Sequence, residues 1–204
     1  QAQLNTQVML FDIAQNKIEL LQQNKSPLQD TEICDYLANR LLNLTATSQS
    51  AIDNQGIYQN SDLVIIATPT NYDVASGKFD TSSVEASIAA VREQNASVPI
   101  VIKSTIPIGF TDSMRQQFHS QILFMPEFLR EGQALYDNLH PSRIIVGATS
   151  QQQALSTALM RLYQQASLTP EVATLMMPPT EAEAVKLFAN SYLATRIAFF
   201  NELD

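Results

Sequence analysis

Short runs of apolar residues alternate along the chain with segments in which apolar residues recur at helical spacing. The most apolar runs, such as residues 63–67, are typical of strands that are buried on both faces of a parallel sheet. Predicted strands cover residues 8–11, 44–47, 63–67, 99–103, 122–125, 143–147 and 172–176. Predicted helices cover residues 18–21, 31–42, 81–91, 111–118 and 151–165. This alternation predicts an α/β fold with a doubly wound parallel sheet of the Rossmann type.

The final segment, residues 180–204, is different because its apolar side chains surround the predicted helix on nearly every side. A helix that is apolar all round is buried, either in a large core or against a partner subunit. Its charged residues, which include Glu181, Glu183, Lys186 and Arg196, argue against a membrane span. The segment therefore predicts a long buried helix.

Composition narrows the class of protein. Apolar residues make up 45% of the chain, which is enough for a core and excludes a disordered protein. Twelve Lys+Arg against 20 Asp+Glu give a net charge of -8, which argues against nucleic-acid binding as the main function. The single cysteine, Cys34, cannot form an internal disulfide, and no apolar run is long enough to span a membrane. We therefore expect a cytoplasmic protein with no membrane partner.

Both ends of the sequence suggest missing segments. Glycine accounts for only 5 of 204 residues, against roughly 7% in an average protein. The chain begins at Gln1 without a methionine and reaches its first strand within a few residues, and it stops on the apolar helix without a C-cap signal. We expect the chain to be truncated at both ends.

Polar residues follow four of the predicted strands at the point where each strand ends. They are Asp12, Thr68, Ser104 with Thr105, and Pro126 with Glu127. In open parallel sheets, ligands bind beyond the carboxyl ends of the strands. If all four strands are parallel, these residues share one edge, and the sequence predicts a binding site there.

Asp12 is the candidate with the most interpretable chemistry. An acidic residue that closes the second strand of a dinucleotide-binding fold accepts hydrogen bonds from the adenosine ribose and disfavours a 2′-phosphate. The accompanying glycine fingerprint lies roughly 20 residues earlier in such folds, which here is upstream of Gln1. The alternative is an ordinary helix-capping aspartate, and the local sequence does not separate the two.

Lys186 and Asn190 are four residues apart on the apolar helix, so their side chains project about 40° from each other. Both need partners, because burying an unpaired charge is expensive. One interpretation is a structural salt bridge from Lys186 to Glu183 or to another carboxylate. The functional interpretation is a pair of donors aimed at a ligand oxygen or a developing oxyanion.

Glu127 and Glu131 are a second candidate pair. If residues 127–131 are helical, the two carboxylates lie on one face with Arg130 beside them. Paired carboxylates can divide binding and general-base work, but they can equally form the acidic first turn of a helix. The histidine, cysteine and carboxylate residues show no metal-ligand spacing, so no metal site is expected, and we interpret Cys34 as structural.

Five blocks of the sequence, in order along nearly the whole chain, resemble the UDP-glucose 6-dehydrogenase family, within the UDP-glucose/GDP-mannose dehydrogenases. The blocks are LVIIATPT at 63–70, IKSTIPIG at 102–109, PEFLRE at 126–131, YDNL at 136–139 with PSRI at 141–144, and EAEAVKLFAN at 181–190. The resemblance implies an enzyme that oxidises the C6 alcohol of UDP-glucose to a carboxylate and reduces two NAD+ for each sugar.

The resemblance assigns cofactor contacts to five residues. Asp12 would hold the adenosine ribose of NAD, with Lys17 and Thr68 nearby on the cofactor. Thr105 would position a catalytic water or base at the reacting carbon, close to the cofactor. Glu131 would face the nicotinamide side and complete the set.

It also assigns substrate contacts and catalytic roles. Lys186 and Asn190 match a pair that stabilises oxyanion character at C6, and Glu127 would assist the hydrolysis of a thioester. The backbone around Phe128 and Leu129 would touch the sugar. The implied catalytic set is Thr105, Glu127, Glu131, Lys186 and Asn190.

The implied architecture is an NAD-binding domain, a central helix that carries the homodimer contact, and a C-terminal sugar-nucleotide domain. Residues 1–178 would be the NAD-binding domain without its first strand and glycine loop, and residues 179–204 the start of the central helix. The family's catalytic cysteine lies in a glycine-rich motif that this chain does not contain, so the chain alone would be inactive. The alternatives are a UDP-N-acetylmannosamine or GDP-mannose dehydrogenase, or a non-catalytic nucleotide-binding or dimerisation module.

Overall fold

The computed structural model describes residues 6–48, 56–75 and 77–203. The strands are β1 (Val8–Phe11), β2 (Leu44–Thr47), β3 (Val64–Ile66), β4 (Tyr72–Asp73), β5 (Lys78–Phe79), β6 (Ile100–Ile102), β7 (Ile122–Phe124), β8 (Arg143–Gly147) and β9 (Ala173–Met177). The helices are α1 (Gln15–Gln22), α2 (Thr31–Asn39), α3 (Ser82–Gln94), α4 (Phe110–Phe118), α5 (Ala134–Leu139), α6 (Gln153–Ala166) and α7 (Pro179–Asn201). Each predicted strand is therefore present, with its ends shifted by no more than two residues.

The strands form a mostly parallel arrangement. β1 and β2 pair in parallel, and a separate five-stranded sheet has the order β3-β6-β7-β8-β9. Within it, β3, β6 and β7 are parallel, with Ile66 beside Ile102 and Ile102 beside Phe124. β8 runs antiparallel to β7, so the sheet is not wholly parallel as predicted. Apolar content indicates that a strand is buried but carries no information about its direction.

The short hairpin of β4 and β5 was not predicted. Each of its strands is two residues long, which is too short for a period of two to be recognised in the sequence.

The chain divides into two compact units. The first contains Gln1–Asn60, Phe128–Ile144 and Leu159–Ala173, and includes β1, β2, α1, α2 and α5. In it, α1 packs on β2 and α2 packs on α5. Asp30 caps α2 as predicted, because its Oδ1 accepts hydrogen bonds from the backbone N–H groups of Glu32 and Ile33.

The second unit contains Ser61–Glu127, Ile145–Ala158 and Thr174–Asp204. Its core is built on β6 and β7, whose six residues are all fully buried. The apolar face of α3 packs on β3, and α4 and α7 pack on β7 and on each other. These contacts explain the apolar pattern of the central strands β6 and β7, whereas Ile65 in the edge strand β3 is 41% exposed, so the predicted burial of residues 63–67 on both faces is wrong.

α7 begins where it was predicted, and within this chain only its first turns are buried. Ala182 and Glu183 are completely buried near its first turns. Beyond residue 187, the large apolar side chains are exposed in this chain: Phe188, Tyr192, Leu193, Ile197, Phe199 and Phe200. The reason is geometric, because β7 and α4 lie against the beginning of a 23-residue helix that continues past them.

Candidate active site

Three of the four predicted strand ends meet at one edge of the five-stranded sheet. Thr68, Thr105 and Glu127 each follow one of the neighbouring parallel strands β3, β6 and β7. The Ser104 hydroxyl donates a hydrogen bond to the Thr68 carbonyl oxygen at 2.6 Å, and the Thr70 hydroxyl donates to the Thr105 carbonyl oxygen at 2.6 Å. The loops after β3 and β6 are therefore tied together at the edge where open sheets bind ligands.

The loop after β3 is also anchored to the beginning of α3. The Ser83 hydroxyl lies 3.1 Å from the Thr68 hydroxyl and 2.9 Å from the Pro69 carbonyl oxygen. This contact fixes the position of Thr68, which remains partly exposed.

Glu127 is held by two lysines at this edge. Lys103 Nζ lies 2.6 Å from Glu127 Oε1, and Lys186 Nζ donates a hydrogen bond to the Glu127 carbonyl oxygen at 2.5 Å. The contact of Lys186 is thus with backbone at the sheet edge, and it places this lysine beside one of the predicted carboxylates. Lys103 was not among the predicted site residues, because it closes an apolar strand and has no spacing that marks it.

The Lys186 ammonium is partly buried, and its surroundings change its acidity. Burial lowers the pKa of Lys186 from its ordinary value of 10.5, and the nearby negative charge of Glu127 opposes part of that change. Asn190 lies one helical turn further along α7 and is exposed. The two predicted donors therefore project from the same side of α7, one anchored at Glu127 and one open to solvent.

Glu183 has a different role from the one the sequence suggested. Its completely buried carboxylate accepts hydrogen bonds from the backbone N–H groups of Gly109 and Thr111, at 2.6 and 2.8 Å, and from the Thr111 hydroxyl at 2.5 Å. Gly109 is the N-cap residue of α4 and has a φ of 88°, so Glu183 supplies the cap that glycine lacks. The carboxylate proposed as a salt-bridge partner of Lys186 instead joins α7 to the loop that follows Thr105.

Asp12 and Lys17 form an ion pair in the first unit. Asp12 Oδ2 lies 3.3 Å from Lys17 Nζ, and Asp12 Oδ1 accepts a hydrogen bond from the backbone N–H of Ala14 at 2.8 Å. The N-cap residue of α1 is Ala14 rather than Asp12. Asp12 is therefore not the N-cap residue itself, but its carboxylate accepts a hydrogen bond from the N–H at the start of α1, so it has a structural contact with that helix.

The segment after Glu127 is not helical, so the prediction that Glu127 and Glu131 share a helical face is wrong. Residues 125–130 have no regular structure, and Glu131 lies in an exposed turn. Pro126 precedes this segment, and Gly132, with a φ of 74°, ends it. Within the segment, the backbone N–H of Arg130 donates to the Asp137 carboxylate rather than to a carbonyl oxygen of a helical turn.

An ion pair fixes the conformation of this segment within the first unit. Asp137 accepts hydrogen bonds from the backbone N–H of Arg130 at 2.7 Å and from its guanidinium at 2.6 Å. The hydrogen bond from Arg130 is the main cause that lowers the pKa of Asp137 below its ordinary value. Phe128 lies under the Arg143 guanidinium, with 4.2 Å between its ring centroid and Cζ, and Leu129 is half-buried beside it in the chain.

The predicted site residues are thus distributed over the two units. The second unit brings together Thr68, Thr105, Glu127 and Lys186, with Asn190 one turn away. The first unit holds Asp12, Lys17, Phe128, Leu129 and Glu131. In the described ranges, no helix is long and apolar enough to cross a membrane.

A parallel α/β sheet with polar residues at the carboxyl ends of its strands defines a nucleotide-binding domain of the Rossmann class. The chain belongs to the UDP-glucose/GDP-mannose dehydrogenase family, because residues 1–167 match the model of that family's NAD-binding domain. The predicted fold, family and cofactor of the matched domain, NAD, are confirmed.

Individual relatives agree with this family assignment. A UDP-glucose 6-dehydrogenase of Streptococcus pneumoniae is 45% identical over 202 residues, which are 97% of this chain and 50% of the relative. One of Campylobacter jejuni is 43% identical over 199 residues, 97% of this chain and 49% of the relative. The solved UDP-glucose dehydrogenase of Pyrobaculum islandicum has a TM-score of 0.81 and 29% identity, covering 99% of this chain and 48% of that one. The chain spans about half the length of the relatives it matches.

Proposed function

We propose that the protein oxidises the C6 alcohol of UDP-glucose to the carboxylate of UDP-glucuronate, with the reduction of two NAD+ for each sugar. The observation that carries the proposal is the convergence of Lys186 on Glu127 at the edge that also presents Thr105. A cation, a carboxylate and a hydroxyl are the groups that an alcohol oxidation followed by a hydrolysis requires. Two relatives that share more than 40% identity with this chain are UDP-glucose 6-dehydrogenases, which supports this substrate.

The residues on α7 would stabilise negative charge at C6. Lys186 would donate to oxygen at that carbon, and Asn190 would supply a second donor from the same side of the helix. The partly buried environment of Lys186 favours this role, since electrostatic interactions strengthen where water is excluded. Thr105 would position a water molecule or a base at the reacting carbon.

The two glutamates would act at different stages. Glu127 would accept a proton from the water that hydrolyses a thioester, whose cysteine lies outside this chain, and Glu131 would lie on the nicotinamide side. The backbone of Phe128 and Leu129 would contact the sugar. The ion pair of Arg130 with Asp137 supports that assignment, because it holds this irregular segment in one conformation.

The first unit offers a group that fits the ribose of NAD. Asp12 has an accessible carboxylate at the end of a parallel strand, and a carboxylate accepts the hydrogen bonds that ribose hydroxyls donate. Lys17 lies beside it, and Thr68 in the second unit would also contact the cofactor. When bound, NAD+ accepts the hydride that leaves the substrate carbon.

The proposed function also has consequences for the domain organisation of the protein and for its location in the cell. We infer that residues 1–178 act as the NAD-binding domain and residues 179–204 as the start of a central helix. The exposed apolar side chains of the second half of α7 support a homodimer contact there, because large exposed apolar patches mark interaction sites. The lone cysteine and acidic composition support a cytoplasmic location.

The choice of sugar is tested by offering the full-length protein UDP-glucose, UDP-N-acetylmannosamine and GDP-mannose separately and measuring initial rates of NADH formation. We expect a rate with UDP-glucose that exceeds the other two at least roughly tenfold, a ratio that corresponds to about 1.4 kcal/mol of difference in activation free energy. A faster rate with either rival would retain the chemistry and reassign the substrate. No NADH from any of the three would favour a non-catalytic module.

A further inference from the structure

Lys103 is a buried cation at the edge of the sheet that was not among the predicted site residues. Its side chain is only 7% exposed, whereas that of its partner Glu127 is 30% exposed. A lysine so deeply buried requires a counter-charge, because burying an unpaired ammonium is very unfavourable. The Glu127 carboxylate supplies that charge at 2.6 Å.

The backbone of Lys103 is fixed by the sheet itself. Its N–H donates to the Ile66 carbonyl oxygen at 2.8 Å, which extends the pairing of β6 with β3 by one residue. On the other side of β6, the Met125 N–H donates to the Ile102 carbonyl oxygen at 2.9 Å. Lys103 therefore projects from a rigid element, whereas Glu127 lies beyond the end of β7 in a segment without regular structure.

The two lysines hold different parts of Glu127. Lys186 contacts the backbone carbonyl oxygen of Glu127, and Lys103 contacts its carboxylate. A segment without secondary structure does not by itself restrict the side-chain torsions of a glutamate, so the ion pair with a sheet-anchored lysine is what selects the direction of the carboxylate. The remaining exposure of Glu127 leaves the carboxylate accessible to a water molecule or a ligand.

We propose that Lys103 is a positioning residue of the active site, which directs the Glu127 carboxylate toward the substrate from its buried position on β6. This role rests on the proposed function, in which Glu127 assists thioester hydrolysis. In that step the water oxygen bonds to the acyl carbon and Glu127 accepts a proton. The carbon–sulfur bond then breaks, with its electron pair remaining on the cysteine sulfur. Lys103 touches no reacting atom, and it acts through Glu127.

The test uses the full-length enzyme carrying Lys103→Met, which keeps the length of the side chain and removes its charge. We expect the two oxidation steps to continue and the hydrolysis to slow. Steady-state turnover should fall at least roughly tenfold, since a positioned general base contributes about a hundredfold or more. The KM for UDP-glucose should fall together with kcat, because slower hydrolysis leaves more of the enzyme as the covalent intermediate, and intact-protein mass spectrometry should detect a covalent UDP-glucuronyl adduct. A loss of structure alone would not accumulate that adduct.

Three further variants complete the experiment. Glu127→Gln should accumulate the same adduct, and the double variant Lys103→Met/Glu127→Gln should be no slower than Glu127→Gln alone, because the two residues act through one group. Lys25→Met, at an exposed lysine, should behave as the unmodified enzyme. If Lys103→Met does not fold, Lys103→Arg keeps the charge but moves the donor, and it should show the adduct at a lower level.

The outcomes separate the two proposals. If the unmodified enzyme forms no NADH with UDP-glucose, the proposed function fails and the role of Lys103 fails with it. If the unmodified enzyme is active but the folded Lys103 variant turns over normally without an adduct, the role of Lys103 is overturned and the function stands.

Discussion

The two halves of α7 have opposite surroundings. In the first half, residues 179–187, Ala182 and Glu183 have no exposed surface. In the second half, Phe188, Ile197 and Phe199 are 66%, 64% and 61% exposed. Both halves lie in the second unit and belong to one continuous helix.

An all-round apolar pattern therefore predicts that a helix is buried, but it does not show which part of the protein, or which partner, buries it. The first half obtains its cover within this chain, from β7 and α4, and carries the polar residues that reach the sheet edge. The second half has no such neighbours among the described residues, which is the reason we propose a homodimer contact there. The first half, together with Asn190 shortly beyond its end, would then serve chemistry, and the remaining apolar residues of the second half would serve assembly.

The largest effect should come from the first half. Replacing Lys186 with Ala in the full-length enzyme should lower kcat by about two to three orders of magnitude, as expected when a donor to a developing oxyanion is removed. Steady-state NADH formation measures this change. The exposed Glu181 on the same helix provides the control, and Glu181→Ala should leave kcat unchanged. A folded Lys186 variant with near-normal turnover would refute the role of this residue.

Raising the pH should also lower kcat, by a smaller factor than the Lys186→Ala substitution does. Because burial lowers the pKa of Lys186 below 10.5, the ammonium loses its proton at a lower pH than an exposed lysine does. Only the protonated form is fully able to donate, so kcat should fall as the pH rises through that lowered pKa. An alkaline limb that stays at or above pH 10.5 would contradict the assignment.

Removal of the buried carboxylate of the first half should destabilise the fold. Glu183→Ala leaves two backbone N–H groups and a hydroxyl without their acceptor, and the cost should be about 3 kcal/mol of unfolding free energy. Urea unfolding of this chain measures it. Glu202→Ala, at the exposed end of α7, should change the free energy by less than about 0.5 kcal/mol. Equal changes in unfolding free energy for the two variants would show that the buried carboxylate contributes no more to stability than an exposed one.

Gly147 tests how closely the first half packs on β8. A Cβ at this position would lie 2.9 Å from Ala182 Cβ and 3.1 Å from Pro179 Cα. Gly147→Ala should therefore destabilise the protein by about 1–3 kcal/mol through overpacking. In an Ala182→Gly background, which removes the nearer contact, the additional cost should be smaller. An unchanged cost in both backgrounds would locate the strain elsewhere.

The smallest effect on stability should come from the second half. Phe199→Ser removes an exposed ring, and the unfolding free energy of this chain should change by no more than about 0.5 kcal/mol. The full-length protein should nevertheless dissociate further, as measured by sedimentation velocity. Destabilisation of this chain without any change in association would mean that the second half is covered within the chain.

Much of the fold could be predicted because short apolar runs and the cap at Asp30 are local signals. The direction of β8 could not, since apolar content is the same for either direction. The helical pairing of Glu127 with Glu131 failed because carboxylate spacing does not show that the Arg130 N–H and guanidinium are bound by Asp137, seven residues further along the chain.

The candidate site was predicted where residues follow strand ends, and it was missed where a contact spans the chain. Thr68, Thr105 and Glu127 follow neighbouring parallel strands, so topology alone brings them together. The partners of Glu183 are more than 70 residues away in the chain, at Gly109 and Thr111. A local pattern offers Lys186 as the nearest partner of Glu183, and only the packing of α7 on α4 shows the true one.

The most direct test of the central claim is the yield of NADH for each UDP-glucose consumed by the full-length protein under excess NAD+. We predict two NADH and one UDP-glucuronate per sugar, because the carboxylate product requires the removal of four electrons. One NADH with an aldehyde product, or no NADH at all, would contradict the account.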